Sequence, residues 1–377
     1  MKGENILRKL AHIEKVTEVI KHPNADKLDI CTVLGWNIIT KKDEIKENDL
    51  VIFVEIDSIL PDIPIFEFLR KYKFRIKTQK LRGIVSQGLV LPIHTLLEFT
   101  SKTKWDEGDD VTDIIGIKKY DPQAAKEDKY RPIKSKKRNF LNEYMMSFQW
   151  YRSLRYKLGF SRMRNFPTFI SKTDEERIQN MPQVFRQWAL DLFYYTEKLD
   201  GTSATYALYK DDDLLFSFLR KPDFYVCSRN ICLYKENKTE WWNIARRFDI
   251  KNKLKRVGKN IAIQGEIVGD RVQGNKYEYK QGELDFFVFN IFDIDNHKRY
   301  DYYDKNLFCD KYGFKTVPIL GDLYLDQFDL HSILKFAEGK SILNNKVERE
   351  GLVFRSMLDD HKSFKAISNK FLLKYGE

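Results

Sequence analysis

Cysteine is scarce in this chain, four in 377 residues. Cys31 and Cys309 stand alone, and Cys227 and Cys232 have four residues between them, with neither a CxxC spacing nor a histidine nearby. Cysteine-based metal sites and a disulfide framework are thereby excluded, and free thiols in a reducing compartment are implied. No apolar run approaches the roughly 18 residues of a membrane span. None follows Met1-Lys2-Gly3-Glu4-Asn5 either, so no secretory leader is expected. The expected location is intracellular, cytoplasmic or nuclear, in a cell or from a virus. There is no internal repeat and no low-complexity tract. Acids are the minority charge: 55 Asp and Glu face 66 Lys and Arg, a net charge of +11. That balance favours an anionic partner, nucleic acid first. What the chain has in plenty is apolar material, 42% hydrophobic and 14% aromatic, enough for the cores of two or three domains.

Residues 1–118 read as a β-rich unit. Leu10 to Ile20 alternates as a strand does, His22-Pro23-Asn24-Ala25-Asp26 is a turn, and Asp29–Leu34 and Trp36–Thr40 form a pair across Gly35. Leu50–Glu55 is one more short strand, and strands at this spacing suggest a closed barrel. A basic cluster follows at Arg70, Lys71, Lys73, Arg75, Lys77, Lys80 and Arg82, with Tyr72 and Phe74 interleaved. Cations for phosphates beside aromatics for bases suit a surface that holds a nucleic-acid strand. The His22–Leu28 run resembles the opening of OB-fold modules that bind tRNA.

Residues 119–155 read as a charged connector, densest at Lys134-Ser135-Lys136-Lys137-Arg138. Residues 156–377 have mixed α/β texture. Asp174 to Asn180 has the look of a helix start with acids in its first turn, and Val184–Leu192 of further helix. Strands are expected at Ser203–Tyr209, Leu214–Leu219, Asn260–Ile267, Leu284–Phe292 and Gly351–Phe354, and a helix at Trp241–Phe248.

The stretch from Tyr194 to Ser203 organises this second half. An aromatic strand delivers Lys198 to a rim, and Asp200-Gly201 turns the backbone away. That suits a lysine that must attack something. Downstream come Arg229 in a polar turn, Glu266 at the end of a buried strand, the aromatic strand Phe286–Asp293, Glu350 before Gly351, and Lys365 and Lys370 near the end.

This set, in this order, resembles the covalent nucleotidyltransferases, which include ATP-dependent RNA and DNA ligases and mRNA capping enzymes. The whole length looks most like ATP-dependent RNA ligases with an N-terminal OB module, to which Glu55-Ile56-Asp57-Ser58 and Lys77–Gly83 also conform. The chain ends seven residues after Lys370, which leaves no room for the C-terminal OB domain of capping enzymes and typical DNA ligases. The resemblance implies an α+β fold. An OB-fold β-barrel would precede an ATP-grasp-like adenylyltransferase domain of antiparallel sheets flanked by helices.

The resemblance also implies roles. Lys198 attacks the α-phosphate of ATP. A free lysine has a pKa of about 10.4, so nearby cations and a partly dry pocket are expected to favour the neutral amine. Glu266 accepts from ribose hydroxyls, Phe289 stacks on adenine, and Glu197 contacts adenine at least through backbone. Arg229 meets a phosphate of the nucleotide or of the incoming 5′ end. Lys365 meets the α-phosphate. Relatives often have a second lysine two positions on, where Ile367 stands here, which makes Lys370 the candidate. Thr202 and Ser203 are candidate contacts to the 5′-phosphate or adenylate. Glu350 holds a divalent metal, Mg2+ or Mn2+, through hard oxygen ligands. The implied partner is RNA with 5′-phosphate and 3′-hydroxyl ends, in a nicked duplex or a broken strand, with DNA allowed in the duplex. No obligate protein partner is implied. A DNA or mixed-nick ligase, a capping-type guanylyltransferase and a non-catalytic RNA-binding protein stay open as alternatives.

Overall fold

A computed structural model describes residues 9–121, 145, 148, 150–151, 163–210, 222–233, 239–359 and 361–375. The Lys134–Arg138 block and the strand expected at Leu214–Leu219 lie outside the described residues.

The N-terminal unit is a curled antiparallel sheet. Its strands are β1 (Ala11–Lys21), β2 (Leu28–Val33), β3 (Trp36–Lys41), β4 (Leu50–Val54) and β5 (Leu89–Pro92), in the order β3-β2-β1-β4-β5. One half of β1 pairs with β4 and the other with β2, and the register shifts between Val16 and Glu18. A bulge of this kind bends a strand, so β1 serves both ladders. Where the sheet comes round, Gln87 N–H donates to the Asn37 carbonyl at 2.9 Å, and Ile39 N–H to Ser86 Oγ at 3.0 Å. The interior holds Ile13, Val16, Trp36, Ile52 and Phe53. Tyr72 and Phe74 pack against this same core, Phe74 buried and Tyr72 partly so. They are not presented to bases as their spacing suggested. Of the basic cluster, Arg70 is tied to Asp62 and Glu67, and Arg75 pairs with Asp57 and lies 3.5 Å from the Tyr120 ring centre. Lys71, Lys73, Lys80 and Arg82 are exposed as expected, whereas Lys77 is half-buried.

The second unit is built on two antiparallel sheets. The smaller holds β6 (Leu192–Lys198), β12 (Ile319–Tyr324), β13 (Gly351–Ser356) and β14 (Ser363–Ile367), in the order β12-β6-β13-β14. The larger is built around β7 (Thr202–Tyr209), β8 (Asp223–Cys227), β9 (Ile231–Leu233), β10 (Ile261–Gly269) and β11 (Leu284–Asp293), in the order β9-β8-β7-β10-β11. Helices α1 (Glu240–Arg247) and α2 (Ile250–Val257) cover its outer face, where Trp241, Ile244 and Leu254 meet Tyr206, Ile263 and Phe286. Helix α3 (Tyr302–Tyr312) packs near this core through Phe308. Helix α4 (Leu330–Phe336) covers the outer face of the small sheet, against Phe193, Leu352, Phe354 and Phe364. The inner faces look toward each other.

Three local expectations fail. Asp174 to Arg177 is not helical; a short 3-10 turn starts only at Ile178. The reason is tertiary: Lys365 N–H donates to the Glu176 carbonyl at 2.8 Å, which holds this stretch along β14. Helix over 184–192 is confined to Val184–Gln187, because β6 begins at Leu192. Finally, Lys119 pairs with Ser58, beside Lys118 on Ile59, and so belongs to the N-terminal unit and not to the connector.

The two units are joined by directed polar contacts. Asn180 donates to Glu55 at 2.6 Å and accepts from Trp36 Nε1 at 2.5 Å. Gly35 N–H donates to the Gln179 carbonyl at 2.8 Å, and Arg177 reaches Asp57 at 3.4 Å. A Cβ on Gly35 would fall on Leu330 and lie 2.9 Å from the Gln179 backbone, so the close approach requires glycine. All four cysteines are buried free thiols.

Candidate active site

Period-2 alternation decides what faces the space between the sheets. On β6, Phe193 and Tyr195 pack outward, and Tyr194, Thr196 and Lys198 face in. Register then sets neighbours: Lys198 opposes Gly351, Thr196 opposes Val353, and Tyr194 opposes Arg355. On β14, Lys365 opposes Val353 and Ile367 opposes Gly351. From the large sheet, Ser203 stands opposite Glu266, and Glu266 opposite Phe287. Between Gly265–Val288 and Gln264–Asn290 the register slips, which leaves Phe289 as the extra residue of a bulge. The result is a cavity of about 590 Å³, a volume that fits a nucleotide-sized ligand.

Lys198, Glu197, Ser203, Arg229, Glu266, Phe289, Glu350 and Lys365 all border this cavity. Lys198 Nζ donates to Glu350 Oε1 at 2.5 Å. Burial pulls the Lys198 pKa down, but Glu350, Glu266 and Asp200 outweigh it, and the net direction is up. Acids, and not the cations expected, are the charges that set the direction at this amine. Glu266 is pushed up to about 8, first by burial and then by Glu350 and Asp200, with Lys198 opposing. Three carboxylates crowd one ammonium, and one of them keeps its proton near neutrality. Glu197 is buried, and its carboxylate accepts from the Ile342 N–H at 2.8 Å.

Two of the candidates, Thr202 and Lys370, do not border the cavity. Alternation along β7 places Thr202 on the face opposite Ser203, and it does not border the cavity. Lys370 opens the last helix, α5 (Asn369–Tyr375), and points outward, with Nζ 2.9 Å from Glu338. The position that faces inward beyond Lys365 is Ile367, so a second lysine is missing from this wall.

Sequence reasoning missed Asp174, the hub of the cationic end. Its carboxylate accepts from Arg229 at 2.6 Å, Lys365 at 2.9 Å and Lys119 at 3.2 Å. These cations come from a turn, a strand and the N-terminal unit. Burial would raise the Asp174 pKa; Lys365, Arg229 and Lys119 hold it well below the usual carboxylate range. The only available signal was a knot of acids, Asp174-Glu175-Glu176, in a basic chain. Arg355 and Glu175, paired at 2.6 Å deeper in the same wall, were missed too.

Among the described residues no group of three or more His, Cys, Asp or Glu could cage a metal ion. Magnesium-type sites rarely need such a cage: one or two carboxylates plus ligand phosphates suffice. Glu350, a hard oxygen donor in the cavity wall beside Lys198, fits a divalent cation there.

The RNA ligase family profile matches residues 191–374, and an OB-fold domain profile matches residues 10–93. A Naegleria gruberi RNA ligase variant solved with ATP and Mn is 33% identical, with a TM-score of 0.79, over 98% of this chain and 100% of that one. The same enzyme with PPi is 35% identical at a TM-score of 0.78, over 97% and 98%. A further variant of it, with AMP and Mn, is 34% identical at 0.77, over 97% and 98%. Among curated proteins, the phenylalanine–tRNA ligase beta subunit of Wolbachia sp. subsp. Brugia malayi is 29% identical over 96 residues. That match spans 24% of this chain and 11% of the subunit.

Proposed function

The chain belongs to the RNA ligase family, and from that premise we infer its reaction. It is an ATP-dependent RNA ligase that works with ATP and a divalent metal. In our reading it joins a 3′-hydroxyl to a 5′-phosphate in three nucleotidyl transfers. Lys198 Nζ displaces pyrophosphate from ATP, forming a phosphoramidate to AMP. The RNA 5′-phosphate then displaces the lysine and takes the AMP in a 5′–5′ linkage. The 3′-hydroxyl attacks that activated end and AMP leaves.

The observation that carries the reading is the position of Lys198: at one end of a nucleotide-sized cavity, with Arg229 and Lys365 in the same walls. Each step is displacement at phosphorus, so alignment and charge do most of the catalytic work. Phe289 offers a face for adenine, and Glu266, protonated or ionised, can pair with ribose hydroxyls. Arg229 and Lys365 take phosphate oxygens. Ser203 remains a candidate phosphate contact. Lys198 becomes a nucleophile only after Glu350 is drawn from its Nζ and the proton leaves. Mg2+ or Mn2+ on Glu350 would add positive charge beside the α-phosphate.

We propose as substrate RNA with 5′-phosphate and 3′-hydroxyl ends, in a nicked duplex or a broken strand, with DNA allowed in the duplex. The N-terminal unit, with Lys77 and Lys119 bordering the same cavity, supports contact with the strand near the reacting end. The four buried free thiols fit a reducing, intracellular setting, and among the described residues no helix is long and apolar enough to cross a membrane. Matched nicked duplexes with ribose or deoxyribose on each side of the break test the substrate. Sealing should require a ribose at the 3′-hydroxyl side and be lost in Lys198→Ala. Equal sealing of all-DNA nicks would overturn the substrate assignment. Mass spectrometry without an AMP adduct at Lys198 would overturn the mechanism.

A further inference from the structure

Asp200 lies two residues past Lys198 and is 7% exposed at its side chain. Its carboxylate does not balance Lys198 alone: Lys276 Nζ is ion-paired to Asp200 Oδ2. Lys276 is itself enclosed. Its Nζ lies 4.7 Å from the Phe371 ring centre and 4.6 Å from that of Tyr375, both on α5. Cations over aromatic faces are attracted by the ring quadrupole, the more so when desolvated. The next residue, Tyr277, accepts the Asp200 N–H at its hydroxyl at 2.8 Å. One dipeptide thus grips both the side chain and the backbone of Asp200.

The loop that delivers the dipeptide is under strain. Arg271, Gln273, Asn275 and Glu278 all have positive φ, between 44° and 64°. Non-glycine residues seldom adopt this region, and clusters of them persist only where the surroundings enforce them. Asn275 closes the loop on itself, donating to the Tyr279 carbonyl at 2.8 Å and accepting from its N–H at 2.9 Å. Asn344 donates to the Lys276 carbonyl at 3.5 Å. Every feature of the segment fixes where Lys276 and Tyr277 point.

We propose that Lys276 is a positioning residue for adenylyl transfer. Caged by Phe371 and Tyr375 and paired with Asp200, it locks the turn that aims Lys198. The last helix thereby becomes part of the lysine's support. This rests on the reading of Lys198 as the attacking group.

The test measures Lys198 adenylylation in single turnover across ATP concentrations, for the full chain. Lys276→Ala should slow the rate at saturating ATP by about tenfold or more while moving half-saturation by less than about twofold. Lys276→Arg should recover most of the rate, since it keeps charge and ring contact. In an Asp200→Asn background, Lys276→Ala should add less than about twofold, because it acts through Asp200. Tyr375→Leu keeps the lysine and opens one wall of the cage. It should give the same signature at smaller size, and it decides the matter if Lys276→Ala does not fold. Independent, multiplicative losses in the two backgrounds would overturn the proposal. So would a loss seen only in half-saturation. A wild-type chain that is adenylylated but joins no RNA would count against the ligase reading and leave this inference standing.

Discussion

Replacing Asp174 with asparagine should tighten anion binding, although it removes three ion pairs. The side chain keeps its shape and loses its charge. Arg229 at 2.6 Å, Lys365 at 2.9 Å and Lys119 at 3.2 Å then lack a carboxylate that now occupies their donors. An incoming phosphate oxygen must take those donors from Asp174 or share them with it, and two anions at one seat repel. The magnitude follows from exposure. Asp174, Arg229 and Lys119 are each more than a third exposed at the side chain, and Lys365 is 12% exposed. Solvent-screened pairs of this kind are worth about 0.2–1 kcal/mol each, and a charge-assisted bond to the better buried Lys365 about 1.5–3 kcal/mol. Part of that is regained as hydrogen bonds to the amide. The net gain for a ligand is on the order of 1.4 kcal/mol, about tenfold in affinity. Titration calorimetry of pyrophosphate and ATP into Lys198→Ala, with and without Asp174→Asn, at one salt concentration, reads this directly. The lysine variant prevents covalent capture from obscuring the equilibrium. If Asp174→Asn weakens pyrophosphate about tenfold, the carboxylate is a brace for the cations and the reasoning is wrong.

Gly201→Ala should lower both stability and adenylylation: its Cβ would meet the Ile267 carbonyl and lie 2.8 Å from Glu266 Cγ, at a cost of roughly 1–3 kcal/mol. ATP titration beside a thermal melt separates the two effects. His12 carries a pH signature. Burial lowers its pKa, but Glu14 at 2.6 Å and Glu55 outweigh that and raise it to about 9. Because the folded value lies above the unfolded one of about 6.5, this contribution, at most roughly 3 kcal/mol, is full below pH 6.5 and fades as pH rises through 9. Denaturant midpoints of wild type and His12→Gln should therefore converge between those pH values; a constant gap would refute the assignment.

The strands were readable because alternation and β-branched or aromatic residues agree locally with the fold. Lys198 and Glu266 came with them as residues at strand ends, whereas the roles of Glu266 and Lys365 rested on the family resemblance, and the bulge that sets Phe289 apart leaves no mark in the alternation. Asp174 was unreadable for the opposite reason. Its neighbourhood carries the local marks of a helix N-terminus, and only the backbone bond from Lys365 to Glu176 and the cations of distant elements hold it extended. Lys370 was misplaced because the sequence does not say where β14 stops and α5 starts. The direction of the Lys198 pKa depends on Glu350, Glu266 and Asp200, which three separate segments bring together.

The cavity is polarised, and that polarity bears on how it is filled. At one end an ammonium, Lys198, stands among carboxylates; at the other a carboxylate, Asp174, stands among cations. Lys198 and Asp174 each already have internal partners of opposite charge, which offsets the cost of burying them. Binding a triphosphate is then an exchange of partners, not the filling of bare sites. Exchange makes the two ends respond oppositely to charge removal. Neutralising Asp174 frees donors for phosphate, whereas neutralising Glu350 frees the amine but removes the oxygen donor that a divalent metal would need. Lys276 fits the same logic: it gives Asp200 a partner other than Lys198, so that when Glu350 lets go, the lysine is not simply recaptured by the next acid along the turn.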